Sequence, residues 1–152
     1  MELSEGSRSK INKYGPKVCI GAGTGLGECF LTNTSDVPDY TCFPSEGGHV
    51  EFAPFNQLEQ ELSQYLKDKF GSTDRISVER IVSGRGLADV YDFLAKKFPE
   101  EVDRTVDDEF RQKWVDQGVV VGSKAKDGNL CEKAVKIFAR YVRSRNREKV
   151  CG

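Results

Sequence analysis

Histidine, tryptophan and methionine each occur only once in this chain of 152 residues. No apolar run approaches the roughly 18 residues that a membrane-spanning helix needs. The first residues also lack the apolar segment of a secretion signal. These absences argue against a membrane protein and against export, so we expect a cytoplasmic protein.

Cysteine is present, but not in a pattern typical of metal binding or disulfide exchange. The five cysteines are widely spaced, and none belongs to a C-x-x-C pair of the kind that holds zinc. They are Cys19, Cys29, Cys42, Cys131 and Cys151. We therefore expect reduced and mostly buried thiols, and no metal site.

An excess of positive charge is missing as well. The chain has 23 Lys and Arg residues against 24 Asp and Glu residues, which argues against a nucleic-acid partner bound by neutralising its phosphates. Its length suits a single domain, which would bury about 68 to 70% of the surface of the unfolded chain. No internal repeat and no linker divides it.

Short β-type runs occupy the first third of the chain. Residues 1–15 are polar and basic, and we expect a flexible leader there. Apolar runs follow at residues 17–21 and 28–32, joined by a glycine-rich segment at residues 21–27 that we call the glycine loop. This pattern predicts an antiparallel hairpin, and residues 40–43 are typical of a third strand.

From residue 56 onward the apolar period changes from two residues to about 3.6, which predicts about four helices. The first opens with Asn56 and Glu59 as a variant capping box and ends at Gly71. Its buried stripe should contain Leu58, Leu62, Tyr65, Leu66 and Phe70, with Glu59, Gln60, Lys67 and Asp68 in water. The second helix opens at the turn of residues 83–86 and ends before Pro99.

The last two predicted helices have aromatic residues at helical spacing. Apolar residues repeat every four positions as far as Trp114, on a third helix that ends near Gly118. A fourth helix starts at the turn of residues 127–129 and runs through Tyr141. Together with the strands, these helices predict an α/β domain over residues 16–141.

The single histidine lies in a turn that could bind a polyol. Glu46 precedes His49 by three positions with two glycines between them, so both side chains can be aimed at one cavity. A carboxylate accepts from two hydroxyls, and an imidazole both donates and accepts. The alternative is that His49 is a half-buried structural histidine.

Two further segments admit a structural and a functional interpretation. The glycine loop lacks the third glycine of a dinucleotide fingerprint and the lysine of a Walker loop, yet its N–H groups and Thr24 could bind phosphate oxygens. The alternative is a tight hairpin that needs glycine for a positive φ. Residues 76–82 are too short to assign to strand or helix, and from the residues alone Glu79 there is expected to face solvent.

Three motifs occur in order, IGAGTGLGE at residues 20–28, PSEGGHVEFAP at residues 44–54 and SVERIVSGRGL at residues 77–87. Their order and spacing resemble the central part of the bacterial-type ATP-dependent glucokinases, over residues 17–141. This resemblance implies part of an actin-like ATPase domain with a ribonuclease H-like core. It also implies transfer of the γ-phosphoryl group of ATP to the 6-hydroxyl of glucose.

The resemblance assigns roles to six residues. The sugar ligands would be Glu46, His49 and Glu79. The second phosphate loop of the family would be Gly23, Thr24 and Gly25. In a complete family member ATP and Mg2+ take part, the partners are glucose and ATP, and a homodimer is left open. No cysteine cluster follows His49, so the zinc site of a related branch is not expected.

The departures from the family pattern are equally informative. The first phosphate loop of the type Asp-x-Gly-Gly-Thr, the Asn-Asp pair with the catalytic base and the adenine-side glycine motif have no counterpart in this sequence. The resemblance therefore implies a truncated form that is inactive alone. The alternative is a non-catalytic sugar-binding or interaction module. Residues 142–152 depart from the family, and our hypothesis is an atypical tail from an out-of-frame or mis-spliced message.

Overall fold

The computed structural model describes residues 14–35, 37, 39–72 and 74–148, with side chains described up to residue 143. Within these residues a three-stranded antiparallel sheet is followed by five helices. The strands are β1 (Lys17–Ala22), β2 (Leu26–Asn33) and β3 (Tyr40–Ser45). The helices are α1 (Gln57–Phe70), α2 (Gly84–Lys97), α3 (Arg104–Gln112), α4 (Gln117–Ser123) and α5 (Leu130–Glu148).

The sheet confirms the predicted hairpin. Strands β1 and β2 pair up to Ala22 and Leu26, which leaves residues 23–25 as the tip of the glycine loop. Strand β3 pairs with the other edge of β2, with Glu28 opposite Ser45. The chain therefore leaves β3 beside the start of β2 and enters the turn that contains Glu46 and His49.

Helix α1 begins and ends where local chemistry predicts. The Asn56 side chain accepts from the Glu59 N–H at 3.0 Å, and Gly71 ends the helix in the left-handed conformation with φ of 62°. Two corrections concern its faces. Glu59 is fully buried rather than in water, and Phe70 is 38% exposed, with the Arg80 guanidinium 4.2 Å from the centre of its ring.

Helix α2 lies at the centre of the helical layer. It packs against α1, α4 and α5, and most of its residues are buried. Ser83 caps its start by accepting from the Gly86 N–H at 2.9 Å. The close approach of α4 depends on Gly118, because a Cβ there would lie 2.1 Å from the Gly84 carbonyl oxygen. Gly118 lies within α4, so the prediction that a helix ends near Gly118 is wrong.

The predicted third helix is two helices, so the total is five rather than about four. Helix α3 ends at Gln112. In a longer helix the Phe110 carbonyl would accept from the N–H of residue 114, but here it has other donors. It accepts from the Lys113 N–H and from Gln117 Nε2 at 3.1 Å. Trp114 consequently lies in the connection to α4, where it is 94% exposed instead of buried.

Helix α5 is attached to the start of α1 through a buried carboxylate. Glu59 accepts from the Phe55 N–H at 2.8 Å and from the Tyr141 hydroxyl at 2.9 Å, and it pairs with Arg140. Burial and the neighbouring Glu59 carboxylate raise the pKa of Tyr141 well above its usual range. The contacts of Glu59 with Arg140 and Tyr141 join residues 81 and 82 positions apart in the chain.

The cysteines differ from the prediction of mostly buried thiols. Cys131 is buried, but Cys19 and Cys42 are exposed and Cys29 is half-buried. Most of the leader predicted at residues 1–15 and the end of the predicted tail lie outside the described residues, while α5 continues through residue 148. Among the described helices, none combines the length and apolar character needed to cross a bilayer.

Candidate active site

The turn after β3 presents its acid and its imidazole side by side. Residues Gly47–His49 form a short 3-10 turn, closed by the His49 N–H donating to the Glu46 carbonyl at 2.9 Å. His49 Nε2 lies 3.5 Å from Glu46 Oε2, and the side chains are 59% and 90% exposed. His49 is therefore not the half-buried structural histidine of the alternative interpretation, and both side chains are accessible to a ligand.

This turn packs directly on the glycine loop. Gly48 is buried, and a Cβ built on it would lie 2.2 Å from the Leu26 carbonyl oxygen. Only glycine permits such a close approach of the two backbones. Gly48 thus fixes the distance from this turn to the loop.

Glu79 contacts the same leucine through the leucine N–H. It lies in the 3-10 turn Val78–Arg80, is half-buried, and its Oε2 accepts from the Leu26 N–H at 2.9 Å. A Cβ on Gly25 would lie 2.5 Å from that oxygen. Glu79 is therefore not a solvent-facing residue, which corrects the expectation from the residues alone.

Backbone pairing holds the two turns next to each other. The Val78 N–H donates to the Val50 carbonyl at 2.9 Å, and the Phe52 N–H donates to the Ile76 carbonyl at 2.7 Å. Arg75 adds a bond from its guanidinium to the His49 carbonyl at 3.3 Å. The two segments that contain His49 and Glu79 consequently lie side by side at the start of β2.

The tip of the glycine loop lies at the start of α2. The Gly23 N–H donates to the Gly25 carbonyl, and the Gly84 N–H of α2 donates to the Gly23 carbonyl, both at 2.8 Å. Thr24 is exposed between the two glycines. The loop is a tight hairpin, but none of its glycines has a positive φ, so the predicted reason for glycine at these positions is wrong. The glycine at position 25 instead leaves space for Glu79.

Sequence reasoning missed Leu26, the residue of the glycine loop that contacts both turns. Leu26 is buried, receives the Glu79 carboxylate on its N–H, and contacts Gly48 through its carbonyl. The available signal was that it is the only large apolar residue in the glycine loop. The buried side chain at that position anchors the loop in the core, and the leucine backbone contacts both turns.

The charged groups of the site do not form a metal cage. Within the described ranges, no group of three or more His, Cys, Asp or Glu side chains is placed to hold a metal ion. The site thus offers acceptors and donors from Glu46, His49 and Glu79, with backbone groups and a hydroxyl at the loop tip. Such a set suits a hydroxylated ligand next to an anion.

Comparison with known proteins identifies the family. The sequence model of the glucokinase family matches residues 1–148. The chain belongs to the glucokinase family. It is 45% identical over 134 residues to a glucokinase of Nostoc sp., covering 81% of this chain and 38% of the relative. A Synechocystis glucokinase is 38% identical over 141 residues, covering 84% and 39%. The chain thus spans less than half the length of these curated relatives.

Solved glucokinases share the fold. A glucokinase from Balamuthia mandrillaris in complex with glucose aligns with a TM-score of 0.66 at 24% identity, covering 90% of this chain and 37% of that one. A glucokinase from an Antarctic psychrotroph aligns with a TM-score of 0.55 at 20% identity, covering 85% and 36%. The predicted partial actin-like ATPase fold, with antiparallel strands first and helices after them, is confirmed.

Proposed function

We propose that this chain is the part of a glucokinase that holds glucose against the terminal phosphates of ATP. In the complete enzyme the γ-phosphoryl group of ATP is transferred to the 6-hydroxyl of that glucose. The sugar ligands in this proposal are Glu46, His49 and Glu79. The phosphate ligands are Gly23, Thr24 and Gly25. The observation that supports the proposal best is the pair of contacts at Leu26, where both turns pack on the glycine loop.

The sugar side of the proposal follows from donor and acceptor chemistry. Glu46 is 90% exposed and accepts only, whereas the adjacent His49 can donate from one ring nitrogen and accept at the other. Neighbouring hydroxyls of a hexose offer both kinds of partner. An epimer would leave at least one of these groups without a partner, which costs about 1 to 3 kcal/mol once the group is desolvated.

The phosphate side depends on backbone geometry. The loop tip is short, lacks side chains at two of its three positions and exposes Thr24, so phosphate oxygens can approach the N–H groups of Thr24 and Gly25. The Gly23 N–H is used within the tip. Mg2+ in such reactions is held largely by the nucleotide phosphates and water. ATP with Mg2+ and a cytoplasmic location also belong to this proposal, and their support is the glucokinase family match.

A second candidate, a sugar-binding module without catalysis, is favoured by one observation. The 152 residues contain neither an Asn-Asp pair nor an Asp-x-Gly-Gly-Thr loop. Calorimetry with glucose alone tests whether the chain binds sugar by itself. Saturable binding together with cooperative melting supports a folded sugar-holding unit, and the absence of both contradicts the second candidate.

Substitution in a complete glucokinase that contains this region tests the sugar ligands. Glu46→Ala and His49→Ala should each reduce the ratio of kcat/KM for glucose to that for its epimers by about 10-fold to 100-fold, equivalent to one or two hydrogen bonds. Glu51→Ala is the matched control, because Glu51 is an exposed acid two residues further along. Unchanged discrimination in both variants contradicts the assignments.

A further inference from the structure

Three cysteines lie on three neighbouring strands. Cys19 in β1 is the direct cross-strand partner of Cys29 in β2. On the other side, Cys29 is paired with Pro44, which is two residues from Cys42 along β3. Because direct partners and residues two positions apart point to the same face of a sheet, all three thiols share one face. The sequence separation of these residues conceals this arrangement.

Cys29 lies between the other two and interacts with both. Its hydrogen bond with the Cys42 side chain, helped by desolvation, raises the pKa of Cys29, and a weaker opposing contribution comes from Cys19. Cys19 and Cys42 are exposed, and Cys29 is half-buried. A small reagent can therefore reach either outer thiol, and a product formed there has the Cys29 thiol beside it.

We propose that Cys19, Cys29 and Cys42 form an oxidisable thiol site, in which a peroxide generates a disulfide with Cys29 as the shared partner. The thiolate of Cys19 or Cys42 attacks the peroxide, so that the O–O bond breaks, hydroxide or alkoxide leaves and a sulfenic acid forms. The Cys29 sulfur then attacks that sulfur, the S–O bond breaks and water leaves. In total two thiols lose two electrons and two protons, and the peroxide is reduced.

Sheet geometry explains why Cys29 must take part. Directly opposed Cβ atoms in adjacent strands lie about 4.5 to 5.5 Å apart, close to the roughly 3.5 to 4.5 Å of a disulfide. Cys19 and Cys42 are separated by two strand spacings, about 9.5 Å, which exceeds the limit of about 7 Å for Cα atoms that a disulfide can join. This direct spacing applies to Cys19 and Cys29. Cys42 is the diagonal neighbour of Cys29, where Cα atoms lie about 7 to 8 Å apart, so its link to Cys29 requires a small shift of β3 and should form less readily. The two outer thiols cannot join each other.

The other described cysteine provides an internal control. Cys131 is buried in α5, and burial raises its pKa to about 11, so little of it is in the reactive thiolate form. It is also a cross-strand partner of none of the three strand thiols. We expect Cys131 to remain reduced under conditions that oxidise the site on the sheet.

The experiment uses the full chain with Cys151→Ser, so that the cysteine outside the described residues does not contribute. Hydrogen peroxide treatment is followed by alkylation in denaturant, digestion and mass spectrometry. We expect two fewer alkylated thiols and a peptide pair that links Cys29 to Cys19 or Cys42, reversed by dithiothreitol. Cys29→Ser should abolish this link, and Cys131→Ser, the matched control, should retain it.

Single substitutions of the outer thiols make the test independent of whether Cys29→Ser folds. Cys19→Ser should still give the link between Cys29 and Cys42, and Cys42→Ser should still give the link between Cys19 and Cys29. The double variant should give neither. A link between Cys19 and Cys42, a disulfide that survives in the Cys29→Ser variant, or retention of all three free thiols overturns the proposal.

Discussion

At the scale of single residues, Gly25 and Glu79 share a space that only a glycine leaves free. Gly25→Ala would place a methyl group 2.5 Å from Glu79 Oε2, so the carboxylate must move and release the Leu26 N–H. We expect a loss of about 1 to 3 kcal/mol in the free energy of unfolding, measured by urea denaturation. Gly21→Ala is the control, because nothing lies within 4 Å of a Cβ there.

A double-variant cycle separates this contact from a general effect of alanine. If Gly25→Ala acts through Glu79, combining it with Glu79→Ala should cost less than the sum of the two single changes. Gly48→Ala should cost more than Gly25→Ala, because its methyl group would meet a backbone oxygen at 2.2 Å instead of the end of a flexible side chain. Strict additivity of Gly25→Ala and Glu79→Ala would contradict the assigned contact.

The chemical character of these residues was readable from the sequence, but their neighbours were not. The pairing of Glu46 with His49 follows from a spacing of three and is observed. The contact of Glu79 with Leu26 joins residues 53 positions apart, and no local pattern encodes it. The three strand thiols were missed for the same reason, because only strand register brings them together.

At the scale of elements, Asp92 connects three helices through charge. It lies in α2, accepts from Tyr65 of α1 and Arg111 of α3, and pairs with Lys96 at 3.0 Å. Burial alone would raise the pKa of Asp92, but these hydrogen bonds outweigh it and lower the pKa from 3.8 to about 2. Because the folded form binds the proton more weakly than the unfolded form, this stabilisation is present above pH 4 and is lost as the pH falls towards 2.

Asp92→Asn should therefore remove a stabilisation that depends on pH. Near neutral pH we expect the free energy of unfolding of the wild-type chain to exceed that of the variant by about 1 to 2 kcal/mol. This range allows for the solvent exposure of the cationic partners of Asp92. That difference should shrink between about pH 4 and pH 2. Thermal melting at a series of pH values measures it, with the exposed Asp108→Asn as control. A difference that is constant with pH would contradict the assignment.

The buried Glu59 supports a second prediction about elements, the attachment of α5 to α1. Glu59→Ala removes the acceptor of the Phe55 N–H and of the Tyr141 hydroxyl, and it leaves Arg140 without its carboxylate. We expect a loss of about 2 to 4 kcal/mol by urea denaturation. Glu61→Ala in the same helix removes a partly exposed pair with Lys97 and an exposed hydrogen bond from Gln57, and should cost at most about 1 kcal/mol. Equal losses would contradict the role of Glu59.

Helix boundaries were predictable where the signal was local. The Asn56 cap and the left-handed Gly71 are encoded by neighbouring residues and are observed. Helix α3 instead ends because the Gln117 side chain competes for the Phe110 carbonyl. Gly118 allows α4 to pack closely against the start of α2. Both are tertiary effects, so the pattern of apolar residues could not reveal α4.

At the scale of the whole molecule, the site lies where the sheet meets the helical layer. The glycine loop belongs to the sheet, and its tip is hydrogen-bonded to the start of α2 through Gly84. Buried Leu26 joins the sheet to the same core that contains α1, α2 and α5. Disturbing the core should thus disturb the loop, whereas the exposed faces of β1 and β3 can change with less effect.

The set of proposed ligands in this chain leads to a prediction about the kinase activity of the isolated chain. Phosphoryl transfer requires in-line positioning and a base near the attacking hydroxyl, and the sequence offers the proposed sugar and phosphate ligands without an Asn-Asp pair. In a coupled assay we expect no glucose-dependent ATP turnover above background from the purified chain. A complete glucokinase assayed in parallel shows that the assay responds, and heat-treated chain defines the background. Substantial turnover that Glu46→Ala or His49→Ala reduces would show that the base is supplied from within these residues, contrary to the prediction.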